Sequence, residues 1–210
     1  MPKSKTIFIT ATDTGVGKTM TTLCLGLLMQ EQGLRVGVMK PVQCAGRDAQ
    51  FLKKALRLQD DLRLINPFYA PEALSPHLAF RRAKIKFDKN KVLRCLKALQ
   101  ARYDVVLVEG AGGLMVPLKD GYYNADLIQD LAAEVIIVSR LGLGSINHTL
   151  LTIREAQRRK LNIKGVIFCQ TRPGRQHLPE KTNPHEIEKL SGIRILGIIP
   201  YLKPLKSSGG

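Results

Sequence analysis

Residues Ala11-Thr12-Asp13-Thr14-Gly15-Val16-Gly17-Lys18-Thr19 follow an apolar, β-branched run, Thr6-Ile7-Phe8-Ile9-Thr10, and lead into a segment with helical patterning. A strand that passes through a glycine-bearing loop into a helix fixes a β-loop-α unit at the start of the fold. Glycine lets backbone N–H groups close around a ligand, and the helix aims the positive end of its dipole at the same point. Lys18 then supplies a point charge to terminal phosphates, and Thr19 offers a hydroxyl to Mg²⁺, so the segment reads as a phosphate-binding loop. An ordinary turn accounts for Gly15 and Gly17 but leaves Lys18-Thr19 at the helix start unexplained. Thr12 stands five residues before Gly17, where the first glycine of the common pattern would be, and Ala11 lies one further back. A longer or differently shaped loop is expected.

Beyond the loop, apolar runs at 6–10, 35–40, 105–108, 135–139, 163–169 and 193–199 alternate with helical patterns at 18–32, 48–58, 88–102, 124–133, 147–160 and 184–190. In the last helix Asn183 is expected as N-cap, Pro184 as the first helical residue and Glu186 at capping-box spacing. Continuous apolar strands alternating with helices predict a doubly wound α/β fold, with a mostly parallel sheet covered by helices on both faces. At 210 residues and 44% apolar content the chain supports one core. A single domain over 1–205 and a flexible tail at 206–210 are expected.

Residues 1–5 lead into the first strand without an apolar signal segment, and no apolar stretch approaches membrane-spanning length. A cytoplasmic protein is expected. Cys24, Cys44, Cys95 and Cys169 are widely spaced, which argues for free thiols and against a zinc site or disulfide framework. The formal charge is +16, much of it between Arg81 and Arg102, where Asp88 is the only acid. Val92, Leu93, Leu96 and Leu99 recur there at helical spacing, so the cations read as the solvated face of a core-packing helix. Aromatics are scarce there, Phe80 and Phe87 among them, a poor platform for base stacking, and nucleic acid is not expected as a partner.

In a doubly wound sheet, ligands sit beyond the carboxyl ends of the strands. After the second strand comes Lys40-Pro41-Val42, with Cys44 and Asp48 beyond. Lys40 can hold an anion in flight or simply reach solvent; Asp48 can N-cap the next helix or face Mg²⁺. After the third, Glu109-Gly110-Ala111-Gly112-Gly113 offers a metal-facing acid and close backbone approach, or only a tight turn. After the fourth, Gly142, Gly144, Ser145, Ile146, Asn147 and His148 run into a helix start, a plausible carboxylate pocket. His148 alone, like His77, His177 and His185, reads as packing or capping.

Six segments in order, 12–19, Lys40-Pro41-Val42, Ser75-Pro76-His77, Val108 to Gly113, Leu143 to His148 and Leu196-Gly197-Ile198-Ile199-Pro200, resemble the dethiobiotin synthetase family of the P-loop NTPase superfamily. The resemblance implies an ATP- and Mg²⁺-dependent ligase that closes the ureido ring of dethiobiotin from 7,8-diaminononanoate and CO₂, through a carbamate and a carbamic-phosphoric anhydride. It also implies a homodimer with interfacial active sites. By position, Lys18 and Thr14 would hold phosphates within a loop of Gly15, Val16, Gly17 and Met20. Thr19, Asp48 and Glu109 would surround Mg²⁺, with Gly110, Ala111 and Gly112 beside the nucleotide. Lys40 would stabilise the carbamate and its phosphorylated form. Cys44 would contact substrate, and Gly144, Ser145, Ile146 and Asn147 would receive its carboxylate from the neighbouring subunit. Gln170, Pro200, Tyr201 and Leu202 would line the base.

The family often has Gly where Ala11 stands, and Ser or Thr where Cys44 stands. Many members have an adenine-reading Asn at the strand end held here by Cys169-Gln170, which relaxes nucleobase selectivity or shifts it to Gln170. Two other classes share the loop. A partitioning-type ATPase acting on DNA carries an extra Lys where this chain has Asp13. A non-catalytic nucleotide-binding relative would carry Cys44 and Cys169 as marks of lost contacts.

Overall fold

The computed structural model describes residues 4–175 and 177–202. Six strands form the main sheet: β1 (Lys5–Ala11), β2 (Val36–Met39), β5 (Val105–Glu109), β8 (Glu134–Arg140), β9 (Asn162–Cys169) and β10 (Ile195–Ile199). The short β3 (Val42–Cys44) and β4 (Phe68–Ala70) pair with each other, as do β6 (Pro117–Lys119) and β7 (Tyr122–Tyr123). The helices are α1 (Lys18–Glu31), α2 (Asp48–Ala55), α3 (Leu62–Ile65), α4 (Pro76–Arg82), α5 (Lys89–Gln100), α6 (Asn124–Asp130), α7 (Ser145–Arg158) and α8 (Leu178–Ser191). The main sheet runs β10-β9-β8-β1-β5-β2, every neighbour parallel, as the apolar runs predict.

Alternation along the strands divides the interior into two cores. Phe8, Val106, Val108, Val135, Ile137, Val166 and Phe168 face one side, where α5, α6, α7 and α8 contribute Leu96, Ile128, Ile153 and Ile187. Ile7, Ile9, Leu107, Ile136, Val138 and Ile167 face the other, against Leu23 and Met29 of α1 and Leu52 of α2. Parallel strands need cover on both faces because neither can be left to water. Full burial of a side chain such as Phe8 or Ile9, each 0% exposed, contributes about 1.5–3 kcal/mol.

One local expectation is corrected, and one open alternative is decided. The last helix begins at Leu178, with His177 as its N-cap residue, so Pro184 lies inside it and Asn183 caps nothing. Asn183 Nδ2 instead donates to the Gly142 carbonyl at 2.9 Å and to Ser145 Oγ at 3.0 Å, tying α8 to the start of α7. That buried contact holds a proline turn that local propensity would have broken. Asp48 is the first residue of α2, after Arg47, and its carboxylate turns toward Lys40 rather than capping.

The basic stretch is two helices, α4 and α5. Val92, Leu96 and Leu99 are buried beneath α5, as the spacing predicts. Its cations are less isolated than the local sequence implies. Arg81 meets Asp120, Arg82 meets Glu72, Lys89 meets Asp130 and Arg102 meets Asp60, in addition to Arg94 with Asp88. The expected tail at 206–210 lies outside the described residues. No described helix is long and apolar enough to cross a membrane.

Candidate active site

Sheet order brings three strand ends together. Because β1 lies between β8 and β5, the loop 12–17 emerges beside Glu109, the last residue of β5; Ile9 is the register partner of Glu109. On the other side, β2 pairs with β5 so that Met39 opposes Val108, which sets Lys40 next to Glu109. A cavity of about 680 Å³ opens above them.

The loop closes on itself before α1. Asp13 Oδ1 accepts from the Thr14 backbone N–H at 2.7 Å, and Lys18 Nζ donates to the Asp13 carbonyl at 3.2 Å. Gly17 adopts φ 109°, a conformation costly for any residue with a Cβ, and lies against Cys169. Lys18 is 8% exposed, and burial pulls its ammonium down to about 8 despite the opposing pull of Glu109. A lysine so placed gains from a phosphate that restores its charge balance.

Lys40 does not reach solvent. It is 5% exposed, with Nζ donating to Glu109 Oε1 at 2.5 Å and to Asp48 Oδ2 at 2.6 Å. Burial alone would lower its pKa, but the charges of Glu109 and Asp48 and their hydrogen bonds raise it on balance. Lys40 is a fixed cation. Thr19 Oγ1 donates to the same Glu109 Oε1 at 2.8 Å. Gln43 shapes the approach of Asp48: its Nε2 donates to the Gly46 carbonyl at 2.8 Å and its Oε1 accepts from the Ala49 N–H at 2.9 Å. The amide thereby pins the turn between β3 and α2.

Glu109 is fully buried, and its Oε2 has no hydrogen-bond partner. Leaving a buried acceptor unmatched costs about 1–3 kcal/mol, more when it is charged. Two carboxylates and a hydroxyl, Asp48, Glu109 and Thr19, are hard oxygen donors of the kind that would hold Mg²⁺. Among the described residues no group of three or more His, Cys, Asp or Glu side chains could hold a metal unaided. The donor set therefore fits an ion that arrives with phosphate.

Of the residues singled out in the sequence, Thr14, Gly15, Gly17, Lys18, Thr19, Met20, Lys40, Cys44, Asp48, Glu109, Ala111 and Gly112 line the cavity. Val16 lies beneath the loop in the core, 2% exposed, and Gly110 N–H bonds back to Ile9. Burial raises the Cys44 thiol, against a smaller lowering by Lys40. Gly144, Ser145, Ile146 and Asn147 stand apart at the start of α7, and Gln170, Pro200, Tyr201 and Leu202 at the ends of β9 and β10; none lines this cavity. Gln170 Nε2 is engaged by the carbonyls of Arg172 and Gly174. Cys169 is corrected as a base-facing position. It is 4% exposed, with Sγ 3.3 Å from Thr21 Oγ1 and beneath Gly17, because the strand's alternation turns it into the core under the loop.

Sequence reasoning did not assign Val42, Gln43, Ala73, Leu74, Ser75, Pro76 and Val116, which also line the cavity. Ser75 and Pro76 open α4, and the Ser75-Pro76 helix-start signal was the available clue. The others are apolar or amide residues placed by the two small sheets, whose pairing no local pattern announces.

The sequence matches the family model described as AAA domain over residues 5–208. An ATP-dependent dethiobiotin synthetase of Thermodesulfovibrio yellowstonii is 40% identical over 94% of this chain and 89% of that protein. One from Methanocaldococcus jannaschii is 41% identical over 92% of each. Among solved structures, the Pyrococcus furiosus cell division ATPase MinD superposes with a TM-score of 0.61 at 19% identity, covering 94% of this chain and 83% of that one. The pNOB8 ParA bound to nonspecific DNA gives 0.58 at 16%, over 98% and 88%. These distant likenesses establish a shared fold. The sequence relatives go further: the chain belongs to the ATP-dependent dethiobiotin synthetase family.

Proposed function

We propose that this protein is a dethiobiotin synthetase, joining 7,8-diaminononanoate and CO₂ at the expense of ATP. The observation that carries the reading is the meeting of a phosphate loop, two buried lysines and two carboxylates in one cavity. Such a site suits a reaction whose nucleophiles belong to the substrate. One substrate amine adds to CO₂ and loses a proton to give a carbamate. A carbamate oxygen takes the γ-phosphoryl group and ADP departs. The second amine then attacks the carbamate carbon, phosphate leaves, and the ring closes.

Each protein group has a part in that sequence. Lys18 and the N–H groups of the loop and first turn of α1 hold the phosphates. Thr19, Asp48 and Glu109 would hold Mg²⁺, which when bound neutralises charge on the transferring phosphoryl group. Lys40, fixed at the cavity floor, offsets the negative charge of the carbamate and its phosphorylated form. Val42, Leu74 and Val116 offer apolar wall to the substrate's alkyl chain.

The reading includes a homodimer. Gly144 to Asn147 lie outside the cavity of their own chain, and Leu143, Leu151 and Leu178 beside them are 82%, 60% and 73% exposed. An apolar surface of that kind favours a partner, and the partner's α7 start would bring its N–H groups to the substrate carboxylate. The test is phosphate release from Mg-ATP and bicarbonate with and without the diamine, following dethiobiotin by mass. Diamine-dependent release matched by dethiobiotin is expected. Release indifferent to the diamine overturns the proposal.

A further inference from the structure

Two donors crowd one carboxylate oxygen, and one of them is shared with a second carboxylate. Glu109 Oε1 accepts from Lys40 Nζ at 2.5 Å and from Thr19 Oγ1 at 2.8 Å, while Lys40 also holds Asp48 Oδ2 at 2.6 Å. The ammonium thus contacts both carboxylates assigned to Mg²⁺ in the proposed function, on which this inference rests. A divalent ion ligated by Asp48 and Glu109 would stand only a carboxylate's width from the lysine. The side chain of Lys40 is 6% exposed, so little water screens that repulsion.

We propose that Lys40 and Mg²⁺ are alternative counter-ions for Asp48 and Glu109, so that arrival of the metal with its nucleotide frees the lysine for the anionic substrate. Geometry favours the exchange. The unmatched Glu109 Oε2 leaves a coordination point for the incoming ion. Once displaced, the Lys40 ammonium is buried without a partner, which is unfavourable until an anion meets it. A carbamate oxygen supplies that anion. Lys40 is then presented to the carbamate only when the phosphoryl donor is in place, which couples the two binding events and discourages ATP turnover without substrate.

The exchange is read directly from metal binding. Thermal unfolding of the full chain is followed against Mg²⁺ at a fixed, saturating concentration of ADP, with Lys40→Met and Lys40→Arg beside the wild type. Lys40→Met should melt lower without Mg²⁺, regain stability when it is added, and half-saturate at a Mg²⁺ concentration at least tenfold below wild type. Lys40→Arg, which keeps the competing charge, should stay near wild type. In the wild type with ADP bound, acetylation of Lys40 by acetic anhydride, quantified by mass spectrometry, should rise several-fold on adding Mg²⁺. That second readout holds even if Lys40→Met fails to fold. Equal half-saturation in wild type and Lys40→Met, or Lys40 labelling unchanged by Mg²⁺, overturns the exchange and leaves the metal ligands standing. Absence of any Mg²⁺ response in the presence of ADP overturns both.

Discussion

Gly17→Ala tests whether the phosphate loop is held from below. A Cβ built on Gly17 falls 2.6 Å from Cys169 Sγ and 2.8 Å from Cys169 Cβ, both closer than real carbon contacts allow. Cys169 is a short, buried side chain on β9, an interior strand of the main sheet, so it has no room to swing aside. A side chain at φ 109° adds conformational cost of about 1–2 kcal/mol, and overpacking about 1–3 kcal/mol, for a combined loss of about 2–5 kcal/mol. Urea unfolding measures the loss, and calorimetric titration with Mg-ADP shows whether the loop yields by opening. Cys169→Ala removes the nearer atom and leaves the other. The double variant Gly17→Ala/Cys169→Ala should therefore recover part of the loss, a coupling of about 0.5–3 kcal/mol in a double-mutant cycle. Gly17→Ala within about 0.5 kcal/mol of wild type, a typical surface effect, or a coupling of zero refutes the reasoning.

Lys40→Ala should lower kcat for ring closure by about 10²–10³, the loss typical of one preorganised charge donor, while Mg-ATP binds no more weakly. An equal loss of nucleotide affinity would move Lys40 from the carbamate to the nucleotide. Glu109→Gln should raise the Mg²⁺ concentration for half-maximal turnover about tenfold or more, about 1.4 kcal/mol of lost affinity; an unchanged Mg²⁺ titration removes Glu109 from the metal's ligands. Hydrogen bonds from the Arg35 side chain, then from its backbone N–H, hold the Asp104 carboxyl down to about 2 against an ordinary 3.8. A depressed carboxyl stabilises the fold above its unfolded pKa and loses that contribution as pH falls through the folded one. The melting-temperature gap between wild type and Asp104→Asn should be constant above about pH 5 and close toward pH 2; a gap that persists at pH 2 assigns it to packing.

The six strands of the main sheet were legible because each is a short apolar run that a parallel sheet buries on both faces. The last helix was not. Asn183-Pro184-His185-Glu186 carries every local mark of a helix start, yet Leu178-Pro179-Glu180 opens the helix a turn and a half earlier. Propensity lost there to tertiary contact, since Asn183 is worth more to the fold bonding Gly142 and Ser145 than capping. Similarly, the +16 charge suggested an uncompensated basic stretch because its acids, Glu72, Asp120, Asp130 and Asp60, arrive from other elements. Most such surface pairs contribute little stability, about 0–1 kcal/mol each, but they break up a continuous positive face.

Most residues that line the cavity were readable one by one, while only the family resemblance, and no local pattern, brought them together. Lys18, Lys40 and Glu109 are separated by long stretches of chain, and nothing local states that β5 inserts between β1 and β2. That strand order decides the chemistry. With β2 beside β1 instead, Lys40 would stand next to the phosphate loop as a second phosphate lysine, and Glu109 would sit at the far edge as a lone acid. With β5 between them, Glu109 meets Thr19 on one side and Lys40 on the other, and the lysine is held one residue's width from the loop. In the proposed reaction that separation would leave room above Glu109 for a phosphoryl group in transit and an acceptor beside it, the arrangement that in-line transfer requires.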